Sequence, residues 1–303
     1  MKTLYVSDLD GTLLRSDQKT SEYTNKTIGE LVQNGMLFSY ATARSWHTAY
    51  KVTEGMPAAF PLIVYNGAFI LDNAGGKHLL ENYFEKASAV RMIRELTDGG
   101  IQPIVYAFID GKEKFSYQKN NVNAATWDFV LSRTGDSRER PVADTEELLS
   151  GDIFYFACID EPEKLRPFYE RYGSAHHCVY HQDIYSKEQW LEIMPIKASK
   201  ANAILQLKEL LGCDRLVVFG DGVNDLDMFR VADEAYTVEN AVPELKAAAT
   251  AVIGSNDEDG VARWLSRNWR VSTRIGAAKG KLKVSGDFDR WDREIEAMFD
   301  GEG

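Results

Sequence analysis

The chain has 303 residues, of which 44% are hydrophobic, so it is long enough for two domains or for one domain that carries an inserted one. Its 46 acidic and 35 basic side chains give a net charge of −11, which argues against binding nucleic acid, because that binding depends on Lys and Arg. No apolar stretch approaches the ~20 residues of a membrane helix, and the start MKTLYVSDLD meets acidic side chains too early for a signal peptide, so we expect a cytoplasmic protein with no membrane partner.

Short apolar runs alternate with helical patterns in the first 82 residues. The runs TLYVS, MLFSYA and PLIVY are rich in β-branched and aromatic residues, which predicts strands. Between the first two, Ile28, Leu31 and Val32 lie on one helical stripe that ends at Gly35. Strands separated by helices predict βαβ units and a parallel sheet with helices on both faces.

Residues 83–189 have a different pattern. EKASAVRMIREL and PEKLRPFYERY predict helices, and PIVYAFI, DIFYFACID and HHCVYHQDIYS predict strands with hairpin-like spacing. The polar segment RTGDSRERPVADTEE predicts a surface loop. We therefore expect an inserted, largely antiparallel α+β domain over these residues.

The strand and helix alternation returns after residue 189. RLVVF, EAYTV and TAVIG predict strands, and a helix is predicted to begin after Ser199 as its N-cap. We therefore predict that residues 1–82 and 190–268 form one Rossmann-like α/β core. Residues 269–303 are predicted to be a C-terminal extension, in which FDRWDREIEAMF has one apolar helical face.

Polar side chains follow four of the predicted strands. Because the carboxyl ends of parallel strands meet at one edge of a sheet, these side chains are expected to lie close together. Clustered carboxylates repel one another unless a cation compensates, and oxygen ligands suit Mg²⁺. Lys200 lies in the first turn of a helix, where it opposes the helix dipole unless an anion binds there. The residues at the strand ends are Asp8 and Asp10, Thr42 to Arg44, Asn66 and Gly67, and Asp221 to Asp225.

These motifs resemble the haloacid dehalogenase superfamily, in its Cof-type branch with a C2-type cap inserted after the second motif. The resemblance covers about residues 1–268 and combines specific motifs in the order of the family. They are VSDLDGTLL at the start, ATAR, YNGA, LEIMP followed by Ser199 and Lys200, GDGVND, ENA and DGVA.

The resemblance implies a role for each residue of the strand ends. Asp8 is expected to be the nucleophile and Asp10 the general acid and base. Which lysine reaches the phosphate, Lys197 or Lys200, stays open, although the match of Ser-Lys favours Lys200. The implied Mg²⁺ ligands are Asp8, Asp10 (by its main-chain carbonyl), Asp221 and Asp225, the last directly or through water. Thr42, Ala43, Lys200 and Asn224 are the implied phosphate contacts, and Arg44, Asn66 and Gly67 are candidate substrate contacts.

The resulting hypothesis is a Mg²⁺-dependent phosphatase that hydrolyses a small phosphorylated metabolite, such as a sugar phosphate, through an aspartyl phosphate, as a monomer or homodimer. Two alternatives stay open: a phosphomutase of the same fold, and a catalytically silent phosphate-binding or regulatory protein. A zinc site in the HHCVYH segment is disfavoured, because neighbours in a strand point to opposite faces and cannot converge on one ion.

Overall fold

The structure is a computed structural model that describes residues 1–57, 59–182 and 187–270. The amphipathic helix predicted within residues 269–303 lies outside the described residues. Short strands alternate with helices in the first part of the chain, and the three strands predicted there are confirmed. The elements are β1 (Thr3–Asp8), α1 (Glu22–Gln33), β2 (Leu37–Ala41), α2 (Trp46–Val52), β3 (Pro61–Val64), β4 (Phe69–Asp72) and β5 (His78–Glu81).

The middle of the chain contains the predicted helices and strands together with further short elements. The surface loop predicted for RTGDSRERPVADTEE is wrong in part, because a strand and a helical turn form within it. The strand buries only Val142 of its four residues, and Asp144 caps the turn, so neither element has a strong apolar pattern. The elements are α3 (Lys86–Asp98), β6 (Ile104–Ile109), β7 (Lys112–Gln118), α4 (Ala124–Leu131), β8 (Glu139–Val142), α5 (Thr145–Leu148), β9 (Asp152–Ile159), α6 (Pro162–Tyr172), β10 (His176–Gln182) and β11 (Gln189–Pro195).

The last described part returns to alternating helices and strands. The predicted N-cap is confirmed, since the Asn202 amide donates to Ser199 Oγ at 3.1 Å. Among the described helices, none is long and apolar enough to cross a membrane. The elements are α7 (Lys200–Leu210), β12 (Arg215–Gly220), α8 (Leu226–Val231), β13 (Glu234–Val238), α9 (Pro243–Ala248), β14 (Ala251–Ile253) and α10 (Gly260–Asn268).

The first sheet joins the two ends of the described chain. Its strand order is β14-β13-β12-β1-β2-β3-β4-β5, and the pairs from β14 to β3 are parallel, whereas β4 and β5 add antiparallel. Helices pack on both faces, with α1 against α10 and α7 against α8, as predicted for an α/β fold. The chain leaves β1 toward β2 on one side and reaches β12 on the other, so the sheet has its topological switch point between β1 and β12.

The second sheet has the order β10-β11-β9-β6-β7-β8 and is antiparallel except for the pair β7–β8. One of its faces packs against α3 and α6. Aromatic side chains of the other face meet the first sheet, where the ring centroids of Phe69 and Phe154 lie 4.7 Å apart. The division into a core and an inserted domain stays a prediction, but β11 pairs within the second sheet as far as Pro195, which is beyond the boundary expected near residue 189.

Candidate active site

Three carboxylates converge at the carboxyl edge of the first sheet. Asp8 ends β1, whereas Asp221 and Asp225 follow β12, the strand that pairs with β1 in parallel. One carboxylate oxygen from each residue lies within 4.8 Å of the other two, and Asp8 and Asp225 are buried. The parallel pairing therefore brings together residues that are more than 200 positions apart in the chain.

A single buried ammonium group lies within this cluster. Lys200, the first residue of α7, places its Nζ 2.5 Å from Asp8 Oδ1 and 2.8 Å from Asp225 Oδ1. Burial by itself would lower the pKa of Lys200, but the carboxylates of Asp225 and Asp8 outweigh that effect and raise it. Lys197 is exposed, so the structure places Lys200 rather than Lys197 at the carboxylates.

The cluster carries more negative charge than Lys200 neutralises. Burial raises the pKa of Asp8 well above its ordinary value, and although Lys200 opposes this, Asp225 and Asp221 raise it further. Burial likewise raises the pKa of Asp221 to about 6. Raised carboxylate pKa values mean that the charged forms are disfavoured here unless a further cation is present. Three close carboxylates are also the hard oxygen donors that Mg²⁺ prefers, so the residues fit this ion.

The turn after β1 is shaped to admit the Asp221 carboxylate. Gly11 has φ +77°, and a Cβ at this position would overlap the Asp221 carboxylate. Thr12 Oγ1 donates to Asp221 Oδ1 at 2.8 Å, and Asn240 Nδ2 donates to the Gly11 carbonyl at 2.7 Å. Neither Thr12 nor Asn240 was assigned a role from the sequence, although they stand in the motifs VSDLDGTLL and ENA.

Asp225 has both carboxylate oxygens engaged by protein donors. Oδ2 accepts from the amides of Asp221 at 3.0 Å and Gly222 at 3.1 Å, and Oδ1 accepts from Lys200. A Cβ at Gly220 would approach the Asp225 Cβ at 2.8 Å, so the chain needs glycine there for this close packing. Asp225 therefore holds both Lys200 and the loop of Asp221.

Asp10 lies on the open side of the cluster. Its carboxylate accepts from Arg44 Nε at 2.9 Å and from Nη2 at 2.5 Å, so the structure pairs Arg44, a candidate substrate contact, with the predicted general acid. Thr42 is buried and its Oγ1 accepts from the Arg44 amide at 3.1 Å. Ala43, between them, is exposed. The Thr42 hydroxyl hydrogen has no acceptor among the described residues, which suits a donor to phosphate.

The other predicted contacts, Asn66, Gly67 and Asn224, make no hydrogen bond to Asp8, Asp221 or Asp225 among the described residues. Asn66 is buried with φ +52°, and its Nδ2 donates to Glu192 Oε2 at 3.3 Å. Gly67, at φ +101°, packs so closely on the Ser199 carbonyl that a Cβ would clash, which fixes the start of α7. Asn224 is exposed in the loop between β12 and α8.

Glu192 was not identified as a functional residue by the sequence analysis. It lies on β11 within the quoted LEIMP motif, is buried, and accepts hydrogen bonds from Asn66 and the Tyr155 hydroxyl. Burial raises the pKa of its carboxyl group, and the hydrogen bonds from Tyr155 and Asn66 only partly oppose this. Glu192 therefore joins the loop after β3 to the second sheet at the margin of the site.

Comparisons with known proteins agree with this geometry. A sequence model described as haloacid dehalogenase-like hydrolase matches residues 5–265. The chain is 25% identical over 277 residues to the 5-amino-6-(5-phospho-D-ribitylamino)uracil phosphatase YitU of Bacillus subtilis, covering 86% of this chain and 96% of that protein. It is 29% identical over 261 residues to the putative phosphatase YkrA of the same organism, and the match covers 84% of this chain and 93% of YkrA. The crystal structure of TM0651 from Thermotoga maritima superposes with a TM-score of 0.72 and 26% identity, covering 89% and 98%.

Proposed function

The chain belongs to the haloacid dehalogenase-like hydrolases of the Cof type and is a phosphatase, and from this premise we propose that it cleaves a small phosphate monoester through an aspartyl phosphate with Mg²⁺. The observation that carries the proposal is the group of three carboxylates around one buried lysine at the switch point of the sheet. A sugar-like metabolite is the substrate class we favour, because the relative YitU is named for a phosphorylated ribityl compound.

Asp8 is the residue we assign as the nucleophile. Lys200 holds its Oδ1, and we propose that the other oxygen attacks phosphorus while the bond from phosphorus to the ester oxygen breaks. Lys200 and the Thr42 hydroxyl would then hold the phosphoryl oxygens, on which negative charge accumulates. Asp8, Asp221 and the Asp10 carbonyl would hold Mg²⁺, with Asp225 acting through water. The bound ion would supply positive charge to these oxygens.

Asp10 is the residue we assign to proton transfer. In the first half-reaction it would give its proton to the departing ester oxygen, which leaves as an alcohol. In the second half-reaction it would take a proton from the water that attacks phosphorus, so that inorganic phosphate leaves and the Asp8 carboxylate is restored. Arg44 holds the Asp10 carboxylate through two nitrogen atoms, and we propose that it positions this group.

The proposal is tested with p-nitrophenyl phosphate in Mg²⁺ and in EDTA. We expect hydrolysis with Mg²⁺ only, and a fall in kcat of about 10³-fold or more in Asp8→Asn, equivalent to at least ~4 kcal/mol of barrier. Asp227→Asn is the matched control, because Asp227 is half-exposed and pairs with Arg230 outside the cluster. Near-normal turnover by Asp8→Asn would refute the assignment of Asp8 as the nucleophile.

A second assay, with sugar phosphates as substrates, separates the two alternative functions. Release of inorganic phosphate from sugar phosphates supports the phosphatase, whereas accumulation of an isomeric ester would indicate a phosphomutase. A wild-type protein that binds phosphate but turns over none of these esters would indicate a silent binding protein.

A further inference from the structure

A cavity lies outside the cluster of carboxylates. It has a volume of about 610 Å³ and is formed between α2 and the loop that joins α4 to β8. His47 and Lys51 line it from α2, and Arg133, Asp136 and Arg138 line it from the loop. This volume suits part of a small metabolite.

Both walls of the cavity are attached to loops of the candidate active site. Helix α2 begins two residues after Arg44, which pairs with Asp10. On the other wall, Arg138 Nη1 donates to the Tyr65 hydroxyl at 3.2 Å, and the Tyr65 amide donates to the Arg44 carbonyl at 3.0 Å. Both walls therefore connect to Arg44, the residue that contacts the Asp10 carboxylate.

Arg138 is a neutralised, structural part of the cavity wall. It is buried, and its guanidinium lies 2.6 Å from Glu113 and 2.6 Å from Asp136. Two carboxylates thus compensate its charge. Arg138 fixes the wall but has little charge left for a ligand.

Arg133 has no such compensation. Within the described residues it has no carboxylate within 4.0 Å, and its hydrogen bonds use Nη1 alone, to Phe129 O at 3.2 Å and Ser132 Oγ at 2.9 Å. Its guanidinium carbon lies 3.5 Å from the centroid of the Phe129 ring, which fixes the plane of the group. Partial burial lowers the pKa of Arg133, and the Asp136 carboxylate only partly opposes this.

Lys51 is the second uncompensated cation at this cavity. It is exposed on α2 and makes no ion pair with any of the residues that the structure describes. Together with Arg133 it gives the cavity positive charge in a chain whose net charge is −11. A guanidinium with free Nε and Nη2 donors is suited to bind a carboxylate or phosphate with two parallel hydrogen bonds.

We propose that this cavity binds a second anionic group on the leaving side of the substrate, with Arg133 and Lys51 as the residues that select it. The inference rests on the proposed phosphatase function and adds a substrate class: phosphate monoesters that also carry a carboxylate or a second phosphate. Arg133 orients the anion, and Lys51 adds charge at the cavity mouth.

The test compares esters that differ only in the second anion. Glycerol 3-phosphate and 3-phosphoglycerate form the carboxylate pair, glucose 6-phosphate and glucose 1,6-bisphosphate form the phosphate pair, and p-nitrophenyl phosphate is the reference without a second anion. In one of the two pairs we expect the wild-type kcat/KM to be ~10-fold or more higher for the ester that carries the second anion. That pair shows whether the cavity prefers a carboxylate or a phosphate.

The variants Arg133→Met and Lys51→Ala assign the preference to residues. Methionine keeps an apolar stem on Phe129, so we expect Arg133→Met to fold normally and to lower kcat/KM for the preferred ester by ~10- to 100-fold. Hydrolysis of p-nitrophenyl phosphate should change less than ~3-fold, and Lys51→Ala should have a smaller effect of the same kind. Arg94→Ala is the control, since Arg94 is an exposed arginine on α3 that pairs with Glu146.

The outcomes separate this inference from the function on which it rests. If p-nitrophenyl phosphate is hydrolysed but neither pair shows a preference, or the preference survives both substitutions, the cavity does not select a second anion. If no ester is hydrolysed at all, the proposed function fails, and this inference fails with it.

Discussion

Lys200 Nζ lies 2.8 Å from Asp225 Oδ1, and both side chains are buried. The contact links the first residue of α7 to the loop that follows β12. Asp225 also accepts hydrogen bonds from the amides of Asp221 and Gly222, so one carboxylate fixes both the lysine and a predicted metal ligand. The positions of Lys200 and Asp221 are therefore coupled through Asp225.

We predict that Asp225→Ala lowers the free energy of unfolding by about 3 kcal/mol, because it removes one partner of a buried charge pair and leaves two loop amides without their acceptor. Urea denaturation in saturating MgCl₂ measures this loss. Asp227→Ala, in the same stretch but half-exposed, should change stability by less than ~0.5 kcal/mol. Equal losses in the two variants would contradict the coupling role of Asp225.

Gly11→Ala should disturb the site through the Asp221 carboxylate. Alanine strains the backbone at φ +77°, a cost of about 1–2 kcal/mol, and its Cβ displaces the carboxylate. We expect Mg²⁺ to raise the melting temperature of the wild type, since an ion that binds only the folded state stabilises it by about 2.7 kcal/mol at 100 times its Kd. In Gly11→Ala this rise should shrink or vanish.

Gly35→Ala is the matched control for that substitution. Gly35 has φ +98°, but an added Cβ there meets nothing within 4 Å, so the backbone strain occurs without a clash. The variant should lose similar stability and keep the full response to Mg²⁺. If Gly35→Ala also lost the response, backbone strain rather than the position of Asp221 would explain the effect.

The metal-free protein should become less stable as pH rises through the raised pKa values of the clustered carboxylates. The folded-state pKa of Asp221 is raised to about 6 from its ordinary 3.8, and that of Asp8 is raised too, so the folded state binds protons more tightly than the unfolded state. The contribution is fully present below about pH 4 and is lost as pH rises through about 6. Asp221→Asn should remove roughly 3 kcal/mol of this dependence.

Urea denaturation of the wild type and of Asp221→Asn, in EDTA from pH 4 to 7.5, measures how the stability of each protein changes with pH. The stability of the wild type relative to Asp221→Asn should fall with rising pH, and Mg²⁺ should reverse the fall at pH 7.5. A relative stability that rose with pH in EDTA would mean that the cluster stabilises its charged form without a metal.

Much of the core sheet could be predicted from the sequence because its strands are short, continuous apolar runs. Their parallel pairing then required Asp8, Thr42 and Asp221 to share one edge. Two of the missed strands have weaker patterns: β7, KEKFSYQ, begins with three charged residues, and β8, ERPV, buries a single side chain. The missed strand β4, FILD, is apolar but short. Such strands form because they pair with the edge of a neighbouring strand, and the local sequence contains no signal for that pairing.

The finer details of the site depend on side-chain reach rather than on strand position. Arg44, a candidate substrate contact, lies on the Asp10 carboxylate, and Glu192 contacts Asn66 from another sheet. The cationic cavity beside α2 likewise brings Lys51 and Arg133 to one place from segments about 80 residues apart. The spacing of these residues in the sequence does not predict their proximity, because it depends on how distant segments pack together.

Thr12 illustrates this limit and allows a sharp test. Its hydroxyl donates to Asp221 Oδ1 at 2.8 Å, so Thr12→Val keeps the shape of the side chain and removes one hydrogen bond to a carboxylate. We expect Mg²⁺ affinity to fall by ~10- to 100-fold, as is typical when a residue that orients a metal ligand is lost. Isothermal titration with MgCl₂ measures the change. Thr12→Ser retains the hydroxyl and should keep most of the affinity. Wild-type affinity in the valine variant together with a loss in the serine variant would show that the methyl group, and not the hydrogen bond, positions Asp221.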